Sequence, residues 1–327
     1  MAIMLAVTFA SLIAPHVSAQ STTTTNNSAN VLKVSPVRTD VQIAPGTSKT
    51  VQVTVSNLTN APISVSAIEN DFISGDENGT PSLILDAKTY APTHSLKRFM
   101  TPINDVTIPG KQAKTVAVVI TVPVGTQAGG YFGAVRFAPS AAGSGGQVNL
   151  SGSVASLILL TVPGPTTEKL NLTDFTVQQG NKAGNFFNTT DNLNLLIRFE
   201  NKGNIQEGPF GKISVKNGNK VVSQTDFNVT DPRDQILPDG ARKWTVPLTN
   251  LGKFGHYTVT ATLTYGLSNE SIEATKSFWV IPQNYIIGAI IALILFVALI
   301  VFIIFFIRHR IKRHLRRQTH GNSRYRR

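Results

Sequence analysis

The sequence predicts a mainly β protein, with two β-sandwich domains in tandem followed by one transmembrane α-helix. Three observations carry that prediction. Residues 31 to 281 alternate apolar and polar side chains with almost no helical periodicity. Turn signals interrupt the alternation and recur in the same order in two halves. An uncharged run, Tyr285 to Ile307, made almost entirely of Ile, Leu, Val, Ala and Phe, then meets a cluster of cations.

Taken in order, Met1 to Ala14 is mostly apolar, and Val17-Ser18-Ala19 before Gln20 fits a small-residue cleavage site. A secretory signal is therefore expected over residues 1–19, although no Lys or Arg precedes its apolar stretch. The polar run Ser21 to Ser28 has nothing to bury, so residues 20–30 read as a flexible leader.

The first sandwich is expected over residues 31–163. Val51, Val53 and Val55 alternate with Gln52, Thr54 and Ser56, the pattern of a half-buried antiparallel strand. Leu157 to Leu160 is continuously apolar, which suits a strand covered on both faces or locally bulged. The stretch from Pro163 to Thr167 cannot pair in a sheet, so 164–167 reads as a linker. The second sandwich is expected over 168–281, where Tyr257, Val259, Ala261, Leu263 and Tyr265 alternate with four threonines.

Each half carries an Asn that closes a strand before a turn, Asn57 and Asn201. Each also has a Pro-containing turn (Ile108-Pro109-Gly110 and Leu237-Pro238-Asp239-Gly240) and a Gly-led strand with Tyr131 or Tyr257. Repetition of one immunoglobulin-like topology produces this order, and so does shared turn chemistry. The first half alone has an insertion between Asp71 and Pro102 and a loose loop, Ser140 to Gly146.

At about 1.5 Å per residue the run 285–307 is roughly 35 Å long, enough to cross a hydrocarbon core of about 30 Å. The tail, 308–327, holds nine Lys or Arg and no acid. Positive charge stays on the cytoplasmic side, so the N-terminus is expected outside. The tail reads as a stop-transfer signal, or as a headgroup-binding helix with Ile311 and Leu315 on one face. Pro282-Gln283-Asn284 spans at most about 10 Å and would hold the second domain close to the bilayer.

Composition excludes several classes. The net charge of +12 is concentrated in the tail, and the rest carries 21 basic against 18 acidic residues. A nucleic-acid partner is therefore not expected. No cysteine is present, so disulfides and thiol chemistry are excluded, which favours a prokaryotic surface protein. No metalloprotease motif, nucleophile elbow or phosphate-cradling loop occurs, and no catalytic, cofactor or metal residue is assigned.

The candidate binding loops contain Asp71, Asp76, Glu77, Tyr131 and Phe132. The three acids could gather calcium, although Asp-Glu-Asn-Gly is also ordinary turn composition. Tyr131 and Phe132 are either core or a surface for stacking on a glycan. Trp279, Tyr285, Arg308 and Arg310 are expected at the membrane interface, with Trp279 alternatively the last inward residue of its strand. Eight Asn-X-Ser/Thr triplets, including those headed by Asn57 and Asn228, matter only where exported Asn is glycosylated.

Val34-Ser35-Pro36, Ile43-Ala44-Pro45-Gly46 and Gly129-Gly130-Tyr131-Phe132-Gly133-Ala134-Val135 resemble the WxL protein-interacting surface proteins of Gram-positive bacteria. So do Phe199 to Asn204, Leu237 to Arg242 and Gly255-His256-Tyr257. The resemblance implies a peptidoglycan-binding domain, a second sandwich, a membrane helix and a basic tail, with a WxL-bearing surface protein as partner. The expected function is that of a non-enzymatic, membrane-anchored bacterial surface protein whose ectodomain serves in adhesion by binding cell-wall glycan or a protein partner. The alternative is a structural component that pairs with another chain through a sheet edge.

Overall fold

The computed structural model describes residues 31–140 and 152–321, with side chains described as far as Arg308. The expected signal and leader, most of the Ser140–Gly146 loop and the side chains of the tail from residue 309, Arg310 included, lie outside the described residues.

Among the described residues the first sandwich is built from β1 (Leu32–Ser35), β2 (Arg38–Gln42), β3 (Ser48–Asn57), β4 (Ile63–Ser74), β5 (Pro81–Leu83), β6 (Val106–Ile108), β7 (Ala113–Thr121), β8 (Gly129–Pro139) and β9 (Val154–Val162). One sheet has the order β1-β3-β7, the other β2-β9-β8-β4-β5 with β6 beside β4. Val53 and Val55 of β3 and Val118 and Ile120 of β7 point inward to Val65, Phe137 and Leu160 of the facing sheet. Each fully buried side chain of this size contributes roughly 1.5–3 kcal/mol.

The apolar run in β9 is a regular strand, paired with β8 without a register shift. Ile158 and Leu160 face the main core, while Leu157 and Leu159 face a smaller cluster with Phe72, Phe132 and Leu237. Leu237 comes from the second half of the chain. β9 is therefore apolar on both faces because the neighbouring sandwich covers its outer face.

The second sandwich contains β10 (Leu170–Gln179), β11 (Lys182–Ala183), β12 (Phe186–Phe187), β13 (Leu193–Asn201), β14 (Phe210–Asn217), β15 (Lys220–Phe227), β16 (Ala241–Pro247), β17 (Gly255–Tyr265) and β18 (Glu270–Val280). Its sheets run β11-β10-β13-β16 and β12-β18-β17-β14-β15. The inward side chains of β17 (Tyr257, Val259, Ala261 and Leu263) meet Leu195, Ile197 and Phe199 of β13. The threonines of β17 line the outer face, where Thr258 and Thr260 bond Ser277 and Thr275 at 3.1 Å each.

The two asparagines read as strand ends do the same structural work. The Asn57 amide nitrogen donates to the carbonyls of Ala61 (2.7 Å) and Ile108 (3.1 Å). That of Asn201 donates to Ile205 (2.7 Å) and Ile236 (2.9 Å). Each oxygen accepts from the backbone two residues on, at Thr59 or Gly203. Both side chains are buried, and each ties its own turn to the Pro-containing turn of its sandwich. This use of Asn57 also removes it as a glycan attachment point. The half-buried Asn228 likewise donates its amide nitrogen to the carbonyls of Pro209 (2.9 Å) and Asp234 (3.0 Å).

The one α-helix among the described residues, α1, spans Gln283–Gly321. It begins within the segment expected to be linker, because Pro282 pre-sets the first turn and the Tyr285 N–H bonds the Pro282 carbonyl at 3.0 Å. Only Ile281 and Pro282 then separate β18 from the helix. Residues Gln283–Arg308 are long and apolar enough to cross a bilayer, and no part of the most apolar stretch is covered by the rest of the chain.

Candidate functional site

The insertion after β4 is the part of the first sandwich with no counterpart in the second, and the structure gives its residues separate tasks. Asp71 is fully buried. Its carboxylate accepts from the Ala91 N–H (2.9 Å), the Ser95 hydroxyl (2.6 Å) and the Lys97 N–H (2.8 Å). Asp71 is thus a post that holds the segment from 91 to 97, and it presents nothing to solvent. A neighbouring bond from the Asn70 amide to the Ile84 carbonyl (2.8 Å) pins the start of the same excursion.

Asp76 folds its own turn, accepting from Asn78 N (3.0 Å) and Thr80 N (2.9 Å). Glu77 points away from it to the second sandwich. Its Oε1 accepts from Arg198 Nε (2.9 Å) and Nη2 (2.7 Å), its Oε2 lies 3.8 Å from Lys243 Nζ, and its carbonyl accepts the Lys243 N–H at 2.7 Å. The bonds from Arg198 and the adjacent positive charges hold the Glu77 carboxyl below its usual range. Asp71, Asp76 and Glu77 therefore do not converge, and among the described residues no three His, Asp or Glu side chains form a cation site.

Phe132 is buried against Phe72 and His94, with ring centroids 5.9 Å away in each case. Tyr131 packs on Phe99 at 5.0 Å and donates its hydroxyl to the Gln127 carbonyl (2.9 Å), as Tyr257 does to Gly252 (2.9 Å). Both expected binding aromatics are thus packing residues. A β-strand points alternate side chains to opposite faces, and both faces of β8 are covered here.

What the insertion does present is Tyr90. It is 45% exposed, and the Lys97 ammonium and Arg98 guanidinium lie 5.0 and 4.9 Å from its ring centroid. The Lys97 ammonium also bonds the Ala87 carbonyl (2.6 Å), and Asp86 caps Lys88 N (2.9 Å) and the Thr89 hydroxyl (2.6 Å), so the ledge is held from below. An exposed ring with two cations can stack on a sugar face and pair with a carboxylate. The signal in the sequence is one Tyr and an adjacent Lys-Arg pair inside the insertion. Their seven-residue separation hides that the chain folds back through Asp71.

The cleft between the sandwiches is a fastening. Arg38, paired with Asp40 (2.6 Å) in its own sandwich, donates across the cleft to the Arg233 carbonyl (2.7 Å), while Arg242 pairs with Asp234 (2.8 Å) within the second sandwich. Asn204 accepts from Gly130 N (2.8 Å) and donates to Ala128 O (3.0 Å), and Gln206 donates to Thr161 Oγ1 (3.0 Å). At the other end of the second sandwich, Trp279 lies on the outer face of β18, stacked on His256 at 4.5 Å. Tyr285 is exposed on the first turn of α1, 5.5 Å from Phe254. Arg308 closes the apolar stretch of the helix.

Fold and composition define a mainly β protein of two sandwiches with, among the described residues, one helix long and apolar enough to span a membrane. Residues 39–139 match the family described as WxL Interacting Protein, peptidoglycan binding domain, and the similarity to the WxL-interacting proteins lies in that stretch. No curated protein matches the sequence. Among solved structures, the class 5 fimbriae chaperone CfaA is 14% identical, with a TM-score of 0.39, over 77% of this chain and 100% of its own. The Pseudomonas aeruginosa CupB2 chaperone is 9% identical, with a TM-score of 0.33, over 75% of this chain and 99% of its own. A Porphyromonas gingivalis W83 protein of unknown function is 11% identical, with a TM-score of 0.29, over 76% and 98%. Scores at this level carry no argument about function.

Proposed function

We propose that this chain is a non-enzymatic, single-span surface protein whose first sandwich binds peptidoglycan, with the Tyr90–Lys97–Arg98 ledge as its contact. The match of residues 39–139 to a peptidoglycan binding domain carries this reading, and the ledge lies inside that stretch. Peptidoglycan offers sugar faces for the ring and carboxylates for the cations. The nine basic residues after Ile307 favour an inside tail and an outside ectodomain.

Sedimentation of the detergent-solubilised full chain with purified sacculi tests the proposal. The chain should pellet with sacculi, and Tyr90→Ala combined with Arg98→Ser should lower retention about tenfold, the loss of one aromatic and one charged contact. A chain that stays in the supernatant sinks the glycan reading.

A second reading, assembly with a protein partner such as a WxL-bearing one, draws support from β15. That strand ends its sheet, whereas the edge of β16 is met by Glu77. Light scattering tests self-pairing through β15, and a strict monomer at high concentration counts against that form.

A further inference from the structure

The outer face of the sheet containing β17 and β18 changes character at its last row. Successive outward rows pair Thr260 with Thr275 and Thr258 with Ser277, all hydroxyl side chains. The final outward row is Phe186, Trp279 and His256, on three adjacent strands. Phe186 is 71% exposed and Trp279 39% exposed, although hydroxyl residues occupy the same phase one pair further along. This is the end of β18 from which the chain passes through Ile281 and Pro282 into α1.

The row is held in place. Trp279 N donates to Asn185 O (2.7 Å) and Ile281 N to Phe187 O (2.8 Å), so the short strand β12 is clamped beside the exit of the helix. A second exposed aromatic pair, Phe254 and Tyr285, joins the loop before β17 to the first turn of the helix. Exposed Lys182 and Lys253 stand on the adjoining segments. Trp279 and Tyr285, rings with one polar edge, and lysines with apolar stems are side chains that settle at the boundary between water and lipid, and the exposed Phe186 and Phe254 rings supply apolar surface of the kind interfacial segments bury there.

We infer that Phe186, Trp279, Phe254 and Tyr285 form a collar that seats the base of the second sandwich in the phospholipid headgroup layer. The inference rests on α1 being a membrane span. At most about 14 Å of extended chain separates Trp279 from Gln283, which keeps the row within reach of the headgroup zone, about 5–8 Å deep on each side of the hydrocarbon. The collar fixes the sandwich against the bilayer as well as tethering it.

The absence of cysteine permits single spin labels without other changes. The full chain in phospholipid nanodiscs would be labelled in turn at Phe186→Cys, Phe254→Cys, Val124→Cys in the first sandwich and Leu295→Cys within the helix. Collisions with an aqueous nickel chelate and with lipid-soluble oxygen are then compared. The labels at 186 and 254 should show severalfold less nickel contact than the label at 124, with shallow-lipid oxygen contact, while 295 reports the bilayer core. Nickel contact at 186 and 254 equal to that at 124, with 295 in the core, overturns the collar and leaves the span intact. A label at 295 outside the core overturns both. As a second readout, in a Trp244→Phe chain whose one remaining tryptophan is Trp279, lipids brominated near the headgroup should quench the emission, and an unquenched spectrum would also overturn the collar.

Discussion

Glu207 is 1% exposed, and its Oε1 has no hydrogen-bond partner. Burial is the main force that pushes its carboxyl up to about 8; the charge of Glu168 adds to it and the Gly266 N–H opposes it. The folded protein thus binds this proton more tightly than the unfolded chain, whose carboxyl titrates near 4.5. The stabilising contribution of the proton is complete below pH 4.5 and is lost as pH rises through about 8. The urea midpoint should fall across that window, and Glu207→Gln should flatten the fall; an unchanged slope in the variant would retire this account. Asn201 shows the reverse case, a buried polar group fully matched. Asn201→Ala strands the Ile205 carbonyl and the Gly203 N–H and leaves the Ile236 carbonyl with the Glu207 N–H alone, and unfolding experiments should show a loss of about 2–4 kcal/mol.

At the scale of elements, the β4–β5 hairpin is a strut between the sandwiches. Glu77 reaches Arg198 and Lys243, and Gly79, at φ +90°, leaves no room for a Cβ beside the Arg242 guanidinium. Because the Glu77–Arg198 pair is partly exposed, Glu77→Ala should cost only about 1 kcal/mol of stability. Its larger effect should be on coupling, read as faster amide exchange at Lys243, whose N–H bonds the Glu77 carbonyl. The depressed Glu77 carboxyl contributes its stability above the unfolded value of 4.5, and that contribution is lost as pH falls through the folded value. Gly79→Val should disrupt the strut more than Glu77→Ala does, through positive φ and collision together.

For the whole molecule, Leu237 is the apolar link, packed on Phe72, Phe132 and Leu159 across the joint. Calorimetry of the full chain in detergent should show one transition for the two sandwiches. Leu237→Asp, which buries a charge in that cluster, should split it into two; a single transition in the variant would show that the polar contacts suffice.

The strands of both sandwiches, their turns and the apolar helix were legible because each is written locally, in alternation, in turn chemistry or in length. Asn57 and Asn201 could be paired from order alone. The candidate site was not legible, because burial depends on what lies across the chain. Asp71 reads as a loop acid until residues 91–97 fold over it, and Phe132 reads as either core or stacking surface until Phe72, His94 and Leu237 surround it. Tyr90 meets Lys97 and Arg98 only through that folding-back. By itself the sequence determined a mainly β chain, a resemblance to the WxL-interacting proteins, and a helix long and apolar enough for a bilayer. Tertiary structure alone decided which insertion residues fasten and which are presented, because those roles are set by contacts between segments distant in the chain.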